Sequence, residues 1–183
     1  MRTHGLGRRV VSMLGGPAIL VAYATKRGST REVAEAIGAT LIERGLRVDV
    51  RPAGEVRSLD SYSGVVLGGA LYTGRWHGDA RAFLERYAEA LESIPLMVFA
   101  MGPKTLEAGD VARSEASLDA ALAKTPTLTP TLIAIFGGVV DPTKLHFPFS
   151  RLPATDARDW DAIREFAEQA GSVFVRSAEV VRV

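Results

Sequence analysis

One short segment brings together the residue types that hold an anion. Its residues are Thr25, Lys26, Arg27, Gly28, Ser29 and Thr30, which lie between an apolar run and a helical pattern. A helix N-terminus presents unpaired N–H groups and a partial positive charge, and the hydroxyls and cations add further donors. The segment therefore predicts a phosphate-binding loop. The alternative is a well-capped helix start, with Ser29 and Glu32 at capping-box spacing and two incidental cations.

Other phosphate and metal motifs are excluded by their spacing. The loop lacks the lysine arrangement of nucleoside-triphosphate loops, and no G-x-G-x-x-G follows a strand. Gly5 and Gly7 come before any strand and have no third glycine partner. The three histidines, His4, His77 and His146, have no metal-ligand spacing, and no acidic cluster follows the first strand, so no metal site is predicted.

Two further loops combine glycine with apolar and aromatic side chains. Residues 70–78 read ALYTGRWHG, and residues 101–104 read MGPK. An apolar slot between glycine-bearing loops, with an aromatic side chain in one of them, suits a flat ring system. The residues predicted to hold such a ring are Ala70, Leu71, Tyr72, Thr73, Gly74, Trp76, Met101, Gly102 and Pro103.

The elements that must position these loops alternate between buried strands and amphipathic helices. The predicted strands are 18–24, 46–50, 64–69, 96–101 and 131–136, and the predicted helices are 29–44, 78–91, 110–124 and a last one that begins at Thr155 or Asp156. Five strands separated by helices predict an α/β fold, a doubly wound parallel sheet with helices on both faces. Ligands of such sheets bind beyond the carboxyl ends of the strands, where the three loops come together.

Composition and charge narrow the class of protein. The chain of 183 residues is 47% hydrophobic and 23% charged, which is typical of a globular domain and not of a disordered or fibrous chain. It has no cysteine, which excludes disulfides and thiolate sites and favours a reducing, cytoplasmic location. A net charge of +1 argues against nucleic acid as a partner. Residues 1–17 are interpreted as a flexible leader, because the apolar stretch after Arg8 and Arg9 is too broken for a secretory signal.

The chain resembles the flavodoxin family, whose phosphate loop follows the pattern Ser/Thr-x-x-Gly-x-Thr after the first strand. Thr25, Gly28 and Thr30 occupy those positions. The resemblance covers nearly the whole chain from Ala18. It implies a five-stranded sheet with strand order 2-1-3-4-5 and an FMN-binding domain over residues 18–183. It also implies that the first loop holds the FMN phosphate and that the other two loops enclose the isoalloxazine ring.

Within that family the chain is most similar to the quinone-dependent protoporphyrinogen oxidases. The similarity lies in the segments Thr25–Glu32, Gly74–His77 and Asp159–Trp160. It implies an FMN-dependent oxidoreductase that takes electrons from a small-molecule donor and passes them to a quinone-like acceptor. The connection 139–158 is shorter than in those oxidases, so whether a porphyrin is the substrate is left open.

Two side chains near the presumed ring have competing interpretations. His77 is the candidate catalytic residue, because it could donate a proton to the substrate or the flavin; the alternative is a helix-start partner for Asp79. Trp76 could stack on the ring or line the substrate entry, or it could pack against the following helix. Arg75 and Lys104 would favour a negatively charged reduced ring if they lie near it.

The sequence allows alternative functions and partners. Typical flavodoxin carriers are strongly acidic, whereas this chain is nearly neutral, which favours an oxidoreductase over a diffusible electron carrier. A flavin-free interaction module is the second rival. The cluster Phe147-Pro148-Phe149, flanked by Lys144 and Arg151, could touch a membrane surface or a quinone, form a homodimer contact, or be a packed loop.

Overall fold

The computed structural model describes residues 17–144, 146–147 and 149–180, so the leader interpretation for residues 1–16 lies outside the described residues. The strands are β1 (Ala18–Ala24), β2 (Val48–Pro52), β3 (Tyr62–Tyr72), β4 (Arg75–Trp76), β5 (Leu96–Met101), β6 (Leu132–Phe136), β7 (Val139–Val140) and β8 (Thr155–Asp156). The α-helices are α1 (Ser29–Glu43), α2 (Gly78–Arg86), α3 (Ala88–Leu91), α4 (Ala108–Leu122) and α5 (Trp160–Val180).

The main sheet has the order β2-β1-β3-β5-β6, and all four of these pairings are parallel. The predicted order 2-1-3-4-5 is confirmed, because the extra strand β4 changes only the numbering. β4 pairs antiparallel with the end of β3, outside this path. The order reverses between β1 and β3, so the loops that follow β1, β3 and β5 meet at one edge of the sheet.

Alternate residues of the central strands face two separate cores. On β1, Leu20 and Ala22 point to the layer of α2 and α4, whereas Ile19 and Val21 point to the layer of α1 and α5. All four side chains are buried. A strand that is buried on both faces reads as a continuous apolar run, which is why the central strands were predictable.

The predicted start of the last helix is wrong. Asp159 caps α5, since its carboxylate accepts hydrogen bonds from the N–H groups of Asp161 and Ala162, both at 3.0 Å, and the helix begins at Trp160. Thr155 and Asp156 instead form β8, which pairs antiparallel with β7. Trp160, the first residue of α5, is 45% exposed and lies against the guanidinium of Arg158.

Other predicted boundaries are shifted by a few residues. β2 covers Val48–Pro52 instead of 46–50, and α4 covers Ala108–Leu122 instead of 110–124. The predicted helix 78–91 is divided at Tyr87 into α2 and α3. The expected capping box is absent: α1 is preceded by Gly28 without a side-chain cap, and Glu32 pairs with Arg158 instead.

Glycine at position 137 lets the β7–β8 hairpin close against the sheet. A Cβ there would lie 1.8 Å from the carbonyl oxygen of Ala157, and the Ala157 N–H donates to the Gly138 carbonyl at 3.1 Å. Backbone leaves less room to adjust than the end of a side chain does, so this close approach requires glycine.

None of the described helices has the length and hydropathy needed to cross a bilayer.

We expect Gly137→Ala to lower the free energy of unfolding by about 1–3 kcal/mol, because the new methyl group displaces the Ala157 backbone. Gly109→Ala is the matched control, since a Cβ there would meet only the Arg113 side chain at 3.8 Å. Urea denaturation of both variants measures the difference. Equal unfolding free energies for the two variants would contradict the close approach.

Candidate functional site

A left-handed residue shapes the loop between β1 and α1. Gly28 has φ +94°, a conformation that L side chains rarely adopt. Its N–H donates to the Thr25 hydroxyl at 2.9 Å, and its carbonyl accepts from the Glu32 N–H at 3.1 Å. The loop therefore turns sharply and enters α1 with the first-turn N–H groups of the helix directed outward.

A buried hydroxyl in this loop has no partner within the protein. Thr30 is fully buried, and its Oγ1 makes no hydrogen bond with the described residues. An unpaired buried hydroxyl costs about 1–3 kcal/mol, so its presence calls for an explanation. Because it lies in the first turn of α1, beside N–H groups that also lack intrahelical partners, an anion bound here would satisfy both.

Tyr72 connects this loop to the end of β3. Its hydroxyl accepts a hydrogen bond from the Lys26 N–H at 3.3 Å. The ammonium of Lys26 lies 5.1 Å from the centre of the tyrosine ring, and the guanidinium carbon of Arg27 lies 5.6 Å from it. Both distances are in the range of cation–π attraction, which holds the two cations of the loop close to one aromatic ring.

The segment 70–78, predicted as a loop after the third strand, is a tight hairpin. Ala70, Leu71 and Tyr72 are still part of β3, and the chain reverses at Thr73 (φ 47°) and Gly74 (φ 72°) before β4. Two successive residues with positive φ are typical of type I′ hairpin turns. Thr73 is β-branched and is the one non-glycine residue with positive φ in the described part of the chain, so this turn is strained.

The hairpin, the loop after β5 and the loop after β6 enclose a cavity of 320 Å³, which we call the slot. The slot is lined by Arg27, Leu71, Tyr72, Thr73, Gly102, Lys104, Gly138, Val139, Val140, Asp141 and Leu152. Its volume is at the lower end of the range for small-molecule sites. Residues from all three predicted loops therefore meet around one space.

Two further cavities adjoin the slot. The side cavity, 470 Å³, lies between the hairpin and α4, shares Leu71, Thr73, Gly102 and Lys104 with the slot and also includes Gly74 and Pro103. The N-terminal cavity, 200 Å³, lies beside the start of α1 and includes Arg27, Ser29 and Lys144. Together the three cavities follow the carboxyl edge of the sheet from α4 to the phosphate loop.

Three of the predicted ring-binding residues lie in the core. Ala70, Met101 and Trp76 are buried and line none of the three cavities. Trp76 is 1% exposed, and its indole N–H donates to the Gly69 carbonyl at 3.0 Å. The structure thus matches the packing alternative for Trp76 and leaves its ring almost no surface for a ligand.

His77 lies at the start of α2, as in the second of the two interpretations that the sequence allowed. Its Nδ1 accepts a hydrogen bond from the Asp79 N–H at 3.1 Å, so the neutral ring carries its proton on Nε2. Nε2 is buried without a partner among the described residues, and the side chain is 9% exposed. Burial lowers the pKa of His77, Asp79 opposes that shift, and Lys26 and Arg81 reinforce it. The imidazole is therefore held in its neutral form.

Arg158 fastens the β7–β8 hairpin to α1. Its guanidinium binds both carboxylate oxygens of Asp156, at 2.8 and 2.6 Å, and donates to Glu32 at 2.5 Å. The guanidinium lowers the pKa of the Asp156 carboxyl, and these hydrogen bonds raise the pKa of Arg158. The hairpin that closes one side of the slot is thereby anchored beside the start of α1, next to the candidate phosphate loop.

Sequence reasoning missed two walls of the site. One is residues 138–141 with Leu152, although Gly137-Gly138 at the end of a buried strand was an available signal. The other is the α4 wall, where Ser114 and Ser117 share a helix face with Arg113.

Of the predicted cluster 147–149, Phe147 is 73% exposed beneath Arg151, while Pro148 and the Phe149 side chain lie outside the described residues.

The matches between this chain and curated proteins cover only part of each sequence. Protoporphyrinogen IX dehydrogenase (quinone) of Escherichia coli strain K12 is 30% identical to this chain over 78 residues, which are 42% of this chain and 43% of that protein. The match spans less than half the length of that relative. The activity in its name is therefore stated here of that relative and not of this chain.

Solved structures and a family profile define the fold and the family. Oxidised flavodoxin 2 from Bacillus cereus superposes with a TM-score of 0.55 at 18% identity, covering 87% of this chain and 98% of that one. A flavodiiron protein from Giardia intestinalis gives 0.60 at 10% identity, covering 88% of this chain and 37% of that one. The profile of the flavodoxin domain matches residues 20–151, most of the chain. The chain belongs to the flavodoxin domain family.

Proposed function

We propose that this protein is an FMN-dependent oxidoreductase that binds the FMN phosphate at residues 25–30 and the isoalloxazine ring in the slot. The observation that carries the proposal is the buried Thr30 hydroxyl without a partner among the described residues, next to the left-handed turn at Gly28. Membership of the flavodoxin family and the agreement in strand order support the same assignment.

The phosphate loop has the donors that a phosphate monoester requires. The first-turn N–H groups of α1 and the Thr30 hydroxyl supply neutral donors, and Lys26 and Arg27 add positive charge. Arg27 lines both the slot and the N-terminal cavity, so its side chain lies between the phosphate end and the ring end of the site. These groups fit an anion that continues into a flat apolar body.

The walls of the slot fit a planar ring. Leu71 to Thr73 form one side, Gly102 and Lys104 another, and the segment 138–141 with Leu152 a third. A Cβ at Gly102 would lie 2.6 Å from the Leu71 side chain, so glycine is needed where the two loops approach.

Bound FMN would supply hydride and single-electron chemistry, and the residues of this chain would bind, orient and shield it. Lys104, which lines the slot, would favour negative charge on a ring held there. His77 lines none of the three cavities, and its Nδ1 is occupied by the Asp79 N–H. Its role as a proton donor stays a prediction, and the geometry favours a role in positioning Tyr72, whose ring lies edge-on to it at 6.2 Å.

For the electron acceptor, the partial match to the dehydrogenase of E. coli favours a quinone. The same match makes a porphyrinogen one candidate donor, although the short connection 139–158 leaves little chain to enclose a large substrate. The cytoplasmic location and any membrane or homodimer contact stay predictions.

The proposal is tested by purifying the protein, recording its visible spectrum and identifying the chromophore that acid releases. We expect flavin absorption bands and FMN in near-stoichiometric amount, followed by FMN-dependent reduction of a soluble quinone. A colourless protein that also fails to bind added FMN at micromolar concentration would leave an interaction module on the same scaffold.

Gly28→Ala is expected to lower the affinity for FMN at least about tenfold, because alanine disfavours the left-handed turn that aims the N–H groups. Gly45→Ala is the matched control: Gly45 also has a positive φ (+81°), and a Cβ there would meet no atom within 4 Å, but it follows α1 at the far end. Both variants should lose similar stability in urea. Fluorescence titration with FMN should separate them, and equal affinities would contradict the phosphate site.

Thr30→Val separates binding from stability. In the flavin-free protein it removes a buried hydroxyl that has no partner in the described part of the chain, so we expect unchanged or increased stability. Affinity for FMN should fall about tenfold or more, because a hydrogen bond to a charged group contributes about 1.5–3 kcal/mol. Thr40→Val is the control on the same helix, since the Thr40 hydroxyl donates to the Ala36 carbonyl. That variant should lose stability and keep its FMN affinity, and the reverse pattern would refute the assignment.

His77→Asn tests the neutral state of the buried imidazole. Since burial lowers the folded-state pKa of His77, the unfolded chain binds a proton more readily. The stability that this group contributes is complete above the unfolded pKa of about 6.5 and is lost as the pH falls below it. Asparagine can still accept from the Asp79 N–H.

Urea denaturation between pH 8 and pH 5 should therefore show a steeper loss of stability for the wild type than for His77→Asn. His146→Asn, which removes an exposed histidine, serves as the control. A difference between wild type and His77→Asn that stays constant over this pH range would count against the buried neutral imidazole.

A further inference from the structure

The surface beyond the side cavity carries an excess of positive charge. A further cavity of 330 Å³ lies between β4, the start of α2 and the second half of α4, and shares Gly74 and Ser117 with the side cavity. Five basic side chains line these two adjoining cavities. They are Arg75, Arg81, Lys104, Arg113 and Lys124, and we call this surface the cationic rim.

The positive charge of the cationic rim is only partly neutralised. Asp110 is the one acidic residue in the two linings; it pairs with Arg113 and also accepts from the Thr105 hydroxyl at 2.6 Å. Within the described residues, Arg75, Lys104 and Lys124 form no salt bridge. Glu115 and Asp119 of α4 are exposed but line neither cavity. The rim therefore presents a net positive surface on a chain whose overall charge is +1.

The distribution of these charges favours a protein surface over a small anion. Arg75, Lys104, Arg113 and Lys124 are exposed, and no buried cation of the described chain lines either cavity. The hydroxyls of the α4 wall donate within the helix, Ser114 to the Asp110 carbonyl at 3.0 Å and Ser117 to the Arg113 carbonyl at 2.8 Å. Exposed charges spread over two shallow cavities attract and orient a large partner, whereas a small anion needs converging, desolvated donors.

We propose that the cationic rim is the docking surface for an acidic electron-donor protein, which is oxidised as it passes electrons to the flavin that the slot is proposed to hold. This inference rests on the proposed function, since it takes the slot to be the redox site. The position supports it: Lys104 lines both the slot and the side cavity, and Gly74 and Ser117 continue the surface from there. The polarity is opposite to that of the acidic carriers in this family, which attract basic partners.

Amide chemical shifts of the full-length protein test the proposal without depending on turnover. The protein as purified is titrated with an acidic b-type cytochrome, with a basic c-type cytochrome as the probe of opposite charge, and with citrate as a small anion. We expect the acidic cytochrome alone to shift residues 73–76, 104 and 113–124. Its affinity should fall about tenfold or more between about 20 mM and about 300 mM salt.

The triple variant Arg75→Glu/Lys104→Glu/Lys124→Glu should weaken binding of the acidic cytochrome about tenfold or more, and Arg176→Glu, a cation on the distal half of α5, should not. Stability in urea shows that the variants fold. The proposal is overturned if the basic cytochrome binds equally well, if Arg176→Glu has the same effect, or if citrate alone binds at the rim. Failure of the proposed function would be recognised separately, because the absorption spectrum of the purified protein would then lack flavin bands.

Discussion

Parallel pairing of β1 with both β2 and β3 is the constraint on which the rest of the structure depends. Parallel strands place all their carboxyl ends at one edge, and the reversal of order between β1 and β3 opens a crevice there. The phosphate loop, the hairpin after β3 and the loops after β5 and β6 are brought together by this topology. The topology thus places the loops of the candidate site side by side at this edge of the sheet.

The elements that the sequence predicts well are those in which consecutive residues are all buried or all of one chemical type. The central strands are buried on both faces, so their apolar runs mark them directly, as in Leu96–Met101. The loop 25–30 could be singled out as a candidate phosphate loop because its potential donors are contiguous in sequence; phosphate binding there stays a prediction. In both cases the information is local, and local patterns are what a single sequence displays.

The elements that were missed depend on contacts between distant residues. β7 and β8 are two residues each, and they pair because Gly137 allows the Ala157 backbone to approach and because Arg158 joins Asp156 to Glu32. β4 depends on a left-handed threonine, which no propensity favours. For Trp76 the sequence left ring contact and packing both open, and the hairpin turns its indole toward Gly69 and the core. These outcomes follow from tertiary packing that one sequence does not reveal.

The Thr30 hydroxyl, which has no partner among the described residues, also bears on how long the protein survives in a cell. A buried donor without an acceptor lowers the stability of the empty chain, and any ligand that satisfies it draws the folding equilibrium toward the native state. Molecules that open more often are cleared sooner by quality-control proteases. The amount of a protein with such a site would then follow the supply of the ligand that fills it, so that synthesis in excess of that supply is corrected by degradation.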